Sequence, residues 1–238
     1  MGRLVVQEAV AAGHVVAGGA LRPGRGAQPG LLDLVSLGAA SDVVIDFTVA
    51  ATAAEHAAAF AGTGTAWVLG TTGLSADDEA AVAAAAARIP VVYAANFSPG
   101  VALLLDVARR MAAALPPDAY DAEIVEMHHG QKVDAPSGTA VALGRAVAAG
   151  RGIDLATHTE SGRDGHTGAR RPGAIGFAAI RGGQVVGEHT LLFAGASEHV
   201  ALSHRAFDRR VFATGAVRAA EWVSGRAPGL YGMADVIA

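Results

Sequence analysis

The sequence predicts an α/β protein that combines a doubly wound parallel sheet with a second α+β domain carrying an open mixed sheet. Two observations support this prediction. In the first half, short apolar runs alternate with alanine-rich segments of helical length, which is the pattern of repeated strand–helix units. From residue 158 onward the pattern changes to glycine-rich strands separated by turns.

The first half is predicted to alternate helices and strands. Leu4–Ala12 has helical spacing, and Gly13 is a residue type that ends helices. Ser75 is a favourable N-cap for the helix after it, and the three acids in that helix's first turn interact favourably with the helix dipole. The other predicted elements are strands at His14–Ala17, Asp42–Phe47, Ala66–Leu69 and Val91–Ala94, and helices at Thr52–Ala61 and Ala76–Arg88.

The second half is predicted to begin with a long helix, Val101–Leu115, which two prolines end. Residues 180–185 have a composition typical of a tight hairpin. A final helix is expected to rejoin the first domain. The other predicted elements are a strand at Ala122–Met127, a helix at Thr139–Ala149, strands between His158 and Phe207, and the final helix at Phe212–Ser224.

Composition and charge exclude several classes of protein. The 238-residue chain has a formal net charge of −4, whereas a nucleic-acid-binding domain usually carries a basic field. No apolar run approaches the roughly 18 residues that span a membrane. Glu8 and His14 interrupt the apolar start, so no signal peptide is predicted. The absence of cysteine excludes disulfides and thiolate chemistry. We therefore expect a soluble, cytoplasmic protein.

The densest polar cluster is residues 126–139, EMHHGQKVDAPSGT, where a strand is predicted to end and a helix to begin. Lys132 is the only lysine among 18 basic residues, and an ammonium releases a proton far more readily than a guanidinium. His128 and His129 point to opposite faces of a strand and therefore take separate roles. Histidine is the usual general acid or base near neutral pH.

The start of the following helix adds an anion site to this cluster. Ser137, Gly138 and Thr139 offer free backbone amides, a hydroxyl group and little steric bulk, which suits a carboxylate. Two more segments, Gly70–Gly73 and Asn96–Gly100, follow predicted parallel strands, where ligands bind in such sheets. Together these placements favour an active site that binds an anion.

Each feature also has a simpler explanation. Paired histidines occur by chance on surfaces, Ser-Gly-Thr is a common helix cap, and Gly70–Gly73 can be an ordinary turn. The role of Asp46 can be limited to hydrogen bonds with the nearby backbone. A zinc site at Glu126 and His128, which share a strand face, lacks a third ligand nearby in the sequence, so no metal site is predicted.

The chain begins unusually for a doubly wound domain, which starts with a strand and a glycine-rich turn. Here Met1-Gly2-Arg3 leads directly into the first helix. The first strand is central in this fold, so its loss would leave two rows of unpaired backbone groups. We therefore expect the true start to lie upstream, with genuine truncation as the alternative.

The run 126–139 resembles the signature of the 4-hydroxy-tetrahydrodipicolinate reductases (dihydrodipicolinate reductases) of lysine and diaminopimelate biosynthesis. The resemblance covers essentially the whole chain. Met1-Gly2-Arg3 is similar to the end of the family's glycine-rich phosphate loop. The other matching segments are residues 45–48 (IDFT), 70–73 (GTTG), 94–98 (AANFS), 165–168 (GHTG), 173–177 (GAIGF), 186–190 (VGEHT) and 212–217 (FATGAV).

The resemblance implies an oxidoreductase that uses NADH or NADPH to reduce 4-hydroxy-tetrahydrodipicolinate, a cyclic dicarboxylic imine, with loss of water. It implies a Rossmann-like dinucleotide-binding domain formed by residues 1–98 and 210–238. Residues 99–209 would form a domain for substrate binding and tetramerisation. The protein would therefore be a homotetramer.

The resemblance also implies roles for individual residues. His128 would be the proton donor or acceptor and Lys132 a proton donor. His129, Gly138 and Thr139 would hold the substrate carboxylates. The residues expected to contact the cofactor are Met1, Arg22, Gly70, Thr71, Thr72, Ala94, Ala95, Asn96 and Phe97.

The segment after the first helix bears on the choice of nucleotide. Residues 19–25 contain no acid of the kind that bonds the adenine ribose in NAD enzymes. Arg22 and Arg25 can instead meet a 2′-phosphate, so NADPH is expected to be used at least as well as NADH. Two alternatives remain: a nicotinamide oxidoreductase for a sugar or semialdehyde, and a truncated, non-catalytic nucleotide-binding paralogue.

Overall fold

The structure, a computed structural model, describes residues 1–20 and 29–238. The helices, in chain order, are α1 (Gly2–Ala11), α2 (Leu34–Ala39), α3 (Ala53–Thr63), α4 (Ala76–Ala86), α5 (Pro99–Ala114), α6 (Gly138–Arg151), α7 (Leu155–His158), α8 (Arg210–Val223) and α9 (Met233–Ile237). The strands are β1 (Gly19–Ala20), β2 (Leu31–Leu32), β3 (Val43–Asp46), β4 (Ala66–Leu69), β5 (Pro90–Tyr93), β6 (Tyr120–His128), β7 (Thr159–Ser161), β8 (Ile175–Arg181), β9 (Gly187–Gly195), β10 (His199–Ala206) and β11 (Gly229–Tyr231). Contacts between Cα atoms divide the chain into two compact units, Met1–Pro99 with Arg210–Ala238, and Gly100–Arg209.

The first unit contains a four-stranded parallel sheet in the order β11-β5-β4-β3. All four residues of β4 are buried, as expected where helices cover both faces of a parallel sheet. Ser75 begins α4 through a capping box with Asp78, and Gly64 ends α3 with a positive φ of 77°. The predicted α/β class with a Rossmann-like sheet is confirmed.

One predicted strand of the first unit is wrong. Residues 14–18 have no regular structure, and the strand lies instead at β1. The reason is pairing, because a strand needs a neighbour for its backbone groups. Among the described residues, only Gly19 and Ala20 of this segment find one, in Leu31 and Leu32.

The second unit contains a five-stranded mixed sheet in the order β10-β9-β6-β8-β7. Residues of β6 alternate between the two faces, and Ala122, Ile124, Glu126 and His128 point to the buried face. Leu143 and Val147 of α6 lie in the core against this face. The predicted open mixed sheet is therefore present.

The hairpin predicted at residues 180–185 is wrong. Strand β6 lies between β8 and β9, so the segment crosses the end of β6 instead of turning back on a neighbour. On the way, Gly182 N donates to His128 O over 2.9 Å, and His129 N donates to Val185 O over 2.8 Å. The crossing therefore holds the backbone of both histidines.

No helix in the described parts of the chain is long and apolar enough to cross a bilayer.

Candidate active site

The polar cluster of the second unit is assembled from three adjacent strands. Glu126 and His128 are two residues apart on β6 and therefore share its buried face. Register places Arg181 of β8 beside His128, and His189 of β9 beside Glu126. Four polar side chains thus meet on one face at one end of the sheet.

Glu126 is the centre of this cluster. Its side chain is 1% exposed, and Oε2 lies 2.5 Å from Nδ1 of His128. Arg181 donates to both carboxylate oxygens, over 2.9 Å to Oε2 and 2.8 Å to Oε1. The backbone amide of Ser137 donates to Oε1 over 3.1 Å. A buried carboxylate with four donors is fully satisfied.

These contacts set the protonation of the pair. Burial raises the pKa of Glu126, but the hydrogen bonds from Arg181 and His128 lower it further, and the net pKa is below its usual value. Burial lowers the pKa of His128, and the opposing effect of Glu126 does not fully restore it. At neutral pH we therefore expect an ionised Glu126 beside a neutral His128.

His189 lies behind His128 in the same cluster. Their rings meet edge to face with centroids 5.1 Å apart. His189 Nε2 lies 2.9 Å from Ser137 Oγ, which also accepts the amide of Ala140 as the N-cap of α6. Burial, followed by the charge of His128, lowers the pKa of His189 to about 4. A neutral His189 therefore links the strand to the helix start.

The loop after β6 carries the other predicted residues. Lys132 Nζ lies 2.8 Å from Oδ1 of Asp134. Nδ1 of His129 is buried and has no hydrogen-bond partner among the described residues. Thr139 is buried at the start of α6, whereas a Cβ on Gly138 would meet no atom within 4 Å. The start of α6 thus has open space at Gly138, and the loop before it carries a cationic side chain and an imidazole.

Most of the predicted cofactor residues lie in the first unit, directly after β4 and β5. Gly70 N donates to Asp46 O over 2.8 Å, and Ala94 N donates to Leu69 O over 3.2 Å, which ties the three strand ends together. Thr71 is buried, and its Oγ1 has no hydrogen-bond partner in the described structure. A buried hydroxyl without a partner fits a polar ligand group at this turn.

Two close approaches fix the shape of this edge. The ring of Phe47 meets Phe97 edge-on with centroids 5.5 Å apart, and a Cβ on Gly70 would collide with the Phe47 ring. A Cβ on Gly215 of α8 would collide with the carbonyl oxygen of Phe97. Glycine is therefore required on both sides of the segment 94–97.

The remaining predicted cofactor residues have different surroundings. Thr72 and Ala95 are exposed, and Asn96 Oδ1 accepts the amide of Ser98 over 2.8 Å. Met1 is the N-cap residue of α1. Arg22 lies outside the described residues, so the structure does not bear on its predicted role.

A cavity of about 550 Å³ in the first unit lies beside the start of α1 and the edge of β3. Its lining includes Gly2, Gly18, Gly19 and Asp46, but not the Gly70 turn or Phe97. Among the described strands β3 pairs only with β4, so the cavity borders a free strand edge.

Sequence reasoning missed two features of these sites. Asp46 is buried and bound by His56, whose Nδ1 lies 2.6 Å from Oδ2, and by Thr48. The sequence alone does not place Arg181 beside Glu126, because that contact depends on the sheet order. In residues 1–20 and 29–238, no group of three or more His, Asp or Glu side chains could hold a metal ion.

Comparison with known proteins gives a consistent result. Two family models match the chain, "Dihydrodipicolinate reductase, N-terminus" over residues 1–97 and "Dihydrodipicolinate reductase, C-terminus" over residues 100–237. The 4-hydroxy-tetrahydrodipicolinate reductase of Granulibacter bethesdensis is 63% identical over all of this chain and 92% of that protein. The enzyme of the same name from Gluconacetobacter diazotrophicus is 61% identical over all of this chain and 93% of its own length.

Comparison with solved structures agrees with the comparison of sequences. The dipicolinate-bound dihydrodipicolinate reductase of Paenisporosarcina sp. TG-14 is similar with a TM-score of 0.70 and 25% identity, covering 97% of this chain and 94% of that one. An amine dehydrogenase from Mycobacterium smegmatis shares the fold with a TM-score of 0.55 at 15% identity, covering 98% of this chain and 92% of its own.

Proposed function

The chain belongs to the 4-hydroxy-tetrahydrodipicolinate (dihydrodipicolinate) reductase family, and we propose that the cluster around His128 and Lys132 is where it carries out this reduction. The protein is an NAD(P)H-dependent oxidoreductase of diaminopimelate and lysine biosynthesis, which converts 4-hydroxy-tetrahydrodipicolinate into tetrahydrodipicolinate. The non-catalytic alternative is disfavoured, because family models match both units and the relatives match along the whole chain.

The reaction takes up one hydride and one proton and releases one water. Bound NADH or NADPH supplies the hydride. The protein must hold two carboxylates, move a proton and protect the reacting carbon from water. His128 suits proton transfer, because Glu126 binds its Nδ1 and leaves Nε2 for the substrate. This hydrogen bond is the observation that carries the assignment.

Lys132 is proposed as the proton donor. A lysine ammonium can give up a proton and also attract an anion, whereas the arginines that form every other cation here cannot release theirs. The side chain is held on the loop by Asp134. A substrate carboxylate or hydroxyl entering this loop competes with Asp134 for the ammonium.

The substrate carboxylates are proposed to bind His129, Gly138 and Thr139. The unpaired Nδ1 of His129 and the start of α6 would supply donors, and the space beside Gly138 is open. The solved neighbour from Paenisporosarcina holds dipicolinate, which is a dicarboxylate. The second unit, proposed as residues 99–209, would therefore bind the substrate.

The first unit, proposed as residues 1–98 and 210–238, would bind the nicotinamide nucleotide. Gly70, Thr71 and Thr72 line one side of the proposed nicotinamide site, and the segment 94–97 lines the other. The buried hydroxyl of Thr71 supplies a polar contact, and the Phe47 ring packs under Gly70. Met1 and Gly2, at the N-terminus of α1, would face the phosphates with the free backbone amides of the helix start.

We propose that NADPH is used at least as well as NADH. The support is in the sequence, because residues 19–25 contain two arginines and no acid. Comparing kcat/KM for the two nucleotides in the wild type and in Arg22→Ala tests this proposal. A clear NADH preference that Arg22→Ala leaves unchanged would contradict it, and Arg88→Ala serves as the control.

A homotetramer is proposed to form through the outer face of the five-stranded sheet. Helices cover the inner face, whereas Val125 and Ile180 on the outer face are 38% and 47% exposed. Light scattering should give the mass of four chains, and Val125→Glu with Ile180→Glu should reduce it. Because substrate and nucleotide are small diffusible metabolites, we propose that the enzyme works in the cytoplasm.

A coupled assay tests the reaction itself. Pyruvate and aspartate semialdehyde are condensed in situ by a dihydrodipicolinate synthase, and the loss of nicotinamide absorbance is followed with NADPH and with NADH. Wild type should turn over, His128→Ala should be strongly impaired, and the exposed loop variant His166→Ala should not. Equal activity of His128→Ala and His166→Ala would overturn the proposed site.

A further inference from the structure

We propose that Glu126 is a positioning residue, which keeps the proton of neutral His128 on Nδ1 so that Nε2 exchanges protons with the substrate, and that Gly187 keeps Nε2 free of a crowding side chain. This inference deepens the proposed function and rests on it. It adds a role for two residues that themselves do not touch the reacting atoms.

The first step is the ionisation of Glu126. Arg181 binds the carboxylate through two parallel hydrogen bonds, and the amide of Ser137 adds a third. With three donors already aimed at it, the carboxylate is held as an anion and can only accept. The fourth contact, at His128 Nδ1, must therefore have the proton on the histidine nitrogen. Neutral His128 then has its free lone pair on Nε2.

The second step is the direction in which Nε2 points. A Cβ atom built on Gly187, the first residue of β9, would lie 3.0 Å from His128 Nε2. That distance is shorter than ordinary contact between a methyl group and a ring nitrogen. Glycine at this position therefore keeps a side-chain carbon from crowding Nε2.

The charges around His128 come from every strand packed against it. Glu126 on β6 is anionic, Arg181 on β8 and Lys132 on the loop are cationic, and His189 on β9 is neutral. Glu126 is the only one of these that stabilises a protonated His128. Its replacement by a neutral group would leave two cations facing the imidazole.

The variant Glu126→Gln tests the positioning role, and the strand offers a matched control in Glu123. Glu123 also lies on β6 and is also bound by arginines, Arg163 and Arg170, but it does not contact His128. Glu123→Gln therefore reports the loss of a glutamate–arginine pair alone. Glu126→Asp keeps the charge and serves as the conservative variant.

We expect Glu126→Gln to lower kcat by roughly ten- to a hundredfold, with KM changed much less, and to move the pH limb of kcat/KM assigned to His128 to lower pH by about one unit. Glu126→Asp, which keeps the carboxylate, should shift that limb less than Glu126→Gln does. The proposal is overturned if Glu126→Gln and Glu123→Gln give the same kcat and the same pH limb.

A second measurement does not depend on turnover. Nitrogen-15 NMR of the His128 ring distinguishes a proton on Nδ1 from one on Nε2. Wild type and Glu123→Gln should carry it on Nδ1, whereas Glu126→Gln, whose amide can donate to Nδ1, should shift it to Nε2. If the wild type shows no turnover, the proposed function is wrong, but the NMR measurement still tests the role of Glu126. An Nε2 proton in neutral wild-type His128 would overturn the role of Glu126.

Discussion

Lys132 Nζ lies 2.8 Å from Oδ1 and 2.9 Å from Oδ2 of Asp134, so both carboxylate oxygens bind the single lysine of the chain. The two partners differ in exposure, since the Lys132 side chain is 21% exposed and that of Asp134 is 55% exposed. The lysine is thus held on the loop while the carboxylate remains open to solvent. An incoming anion can displace an exposed partner more easily than a buried one.

This relationship makes Lys132→Arg a more informative change than Lys132→Ala alone. Arginine keeps a positive charge that can bind a substrate carboxylate, but it cannot release a proton. We expect both variants to lose kcat by roughly a hundredfold or more, as is usual for loss of a general acid, with the rise in KM smaller in Lys132→Arg. Steady-state kinetics with NADPH measures this, and the exposed Arg110→Ala is the control. Near-normal kcat in Lys132→Arg would remove Lys132 from proton transfer.

Gly187→Ala should lower kcat without unfolding the protein. The added methyl group would stand 3.0 Å from His128 Nε2, so the ring must shift by a few tenths of an ångström. We expect a kcat decrease of roughly threefold or more, in line with the sensitivity of proton transfer to geometry. Gly182→Ala, whose Cβ would meet only Met127 at 3.4 Å, is the control. Identical kcat for the two variants would contradict the role of Gly187.

Gly70→Ala should weaken nucleotide binding. A Cβ at Gly70 would collide with Phe47, whose ring also packs against Phe97, so the clash would disturb both sides of the proposed nicotinamide site. We expect KM and Kd for NADPH to rise at least several-fold and stability to fall by about 1–3 kcal/mol. Gly62→Ala in α3 meets no atom within 4 Å and should be neutral or slightly stabilising. Nucleotide titration by fluorescence compares them, and equal Kd values would refute the prediction.

Local pattern predicted the elements of this fold better than it predicted their neighbours. The alanine-rich helix after Ser75 and the buried β4 follow from caps and apolar runs, and both are present. The segment 180–185 has hairpin composition, yet β6 separates the strands on its two sides. Sheet order depends on contacts between residues far apart in the chain, which turn composition does not encode.

The same distinction applies to the site. The shared face of Glu126 and His128 follows from the two-residue period of a strand, so it was open to sequence reasoning. Arg181 of β8 lies 55 residues after Glu126 in the chain, and Gly187 of β9 lies 59 residues after His128, yet both reach the same place. Only the register of three strands shows that one binds Glu126 and the other borders His128 Nε2.

His189 predicts how stability depends on pH. Its pKa in the folded state is about 4, below the ordinary 6.5, because burial disfavours the charged ring. Between these values the unfolded chain binds more protons than the folded one, so stability is complete above pH 6.5 and is lost as pH falls towards 4. From pH 7.5 to 5 this group alone should remove roughly 2 kcal/mol.

His189→Gln isolates that contribution. Glutamine retains a polar group near Ser137 but does not titrate, so the variant should lose less stability than wild type between pH 7.5 and 5, whatever its stability at pH 7.5. Urea unfolding at both pH values measures the difference, and the exposed His166→Gln should behave like wild type. If His189→Gln and wild type lose the same free energy of unfolding, His189 does not titrate with a depressed pKa in the folded protein.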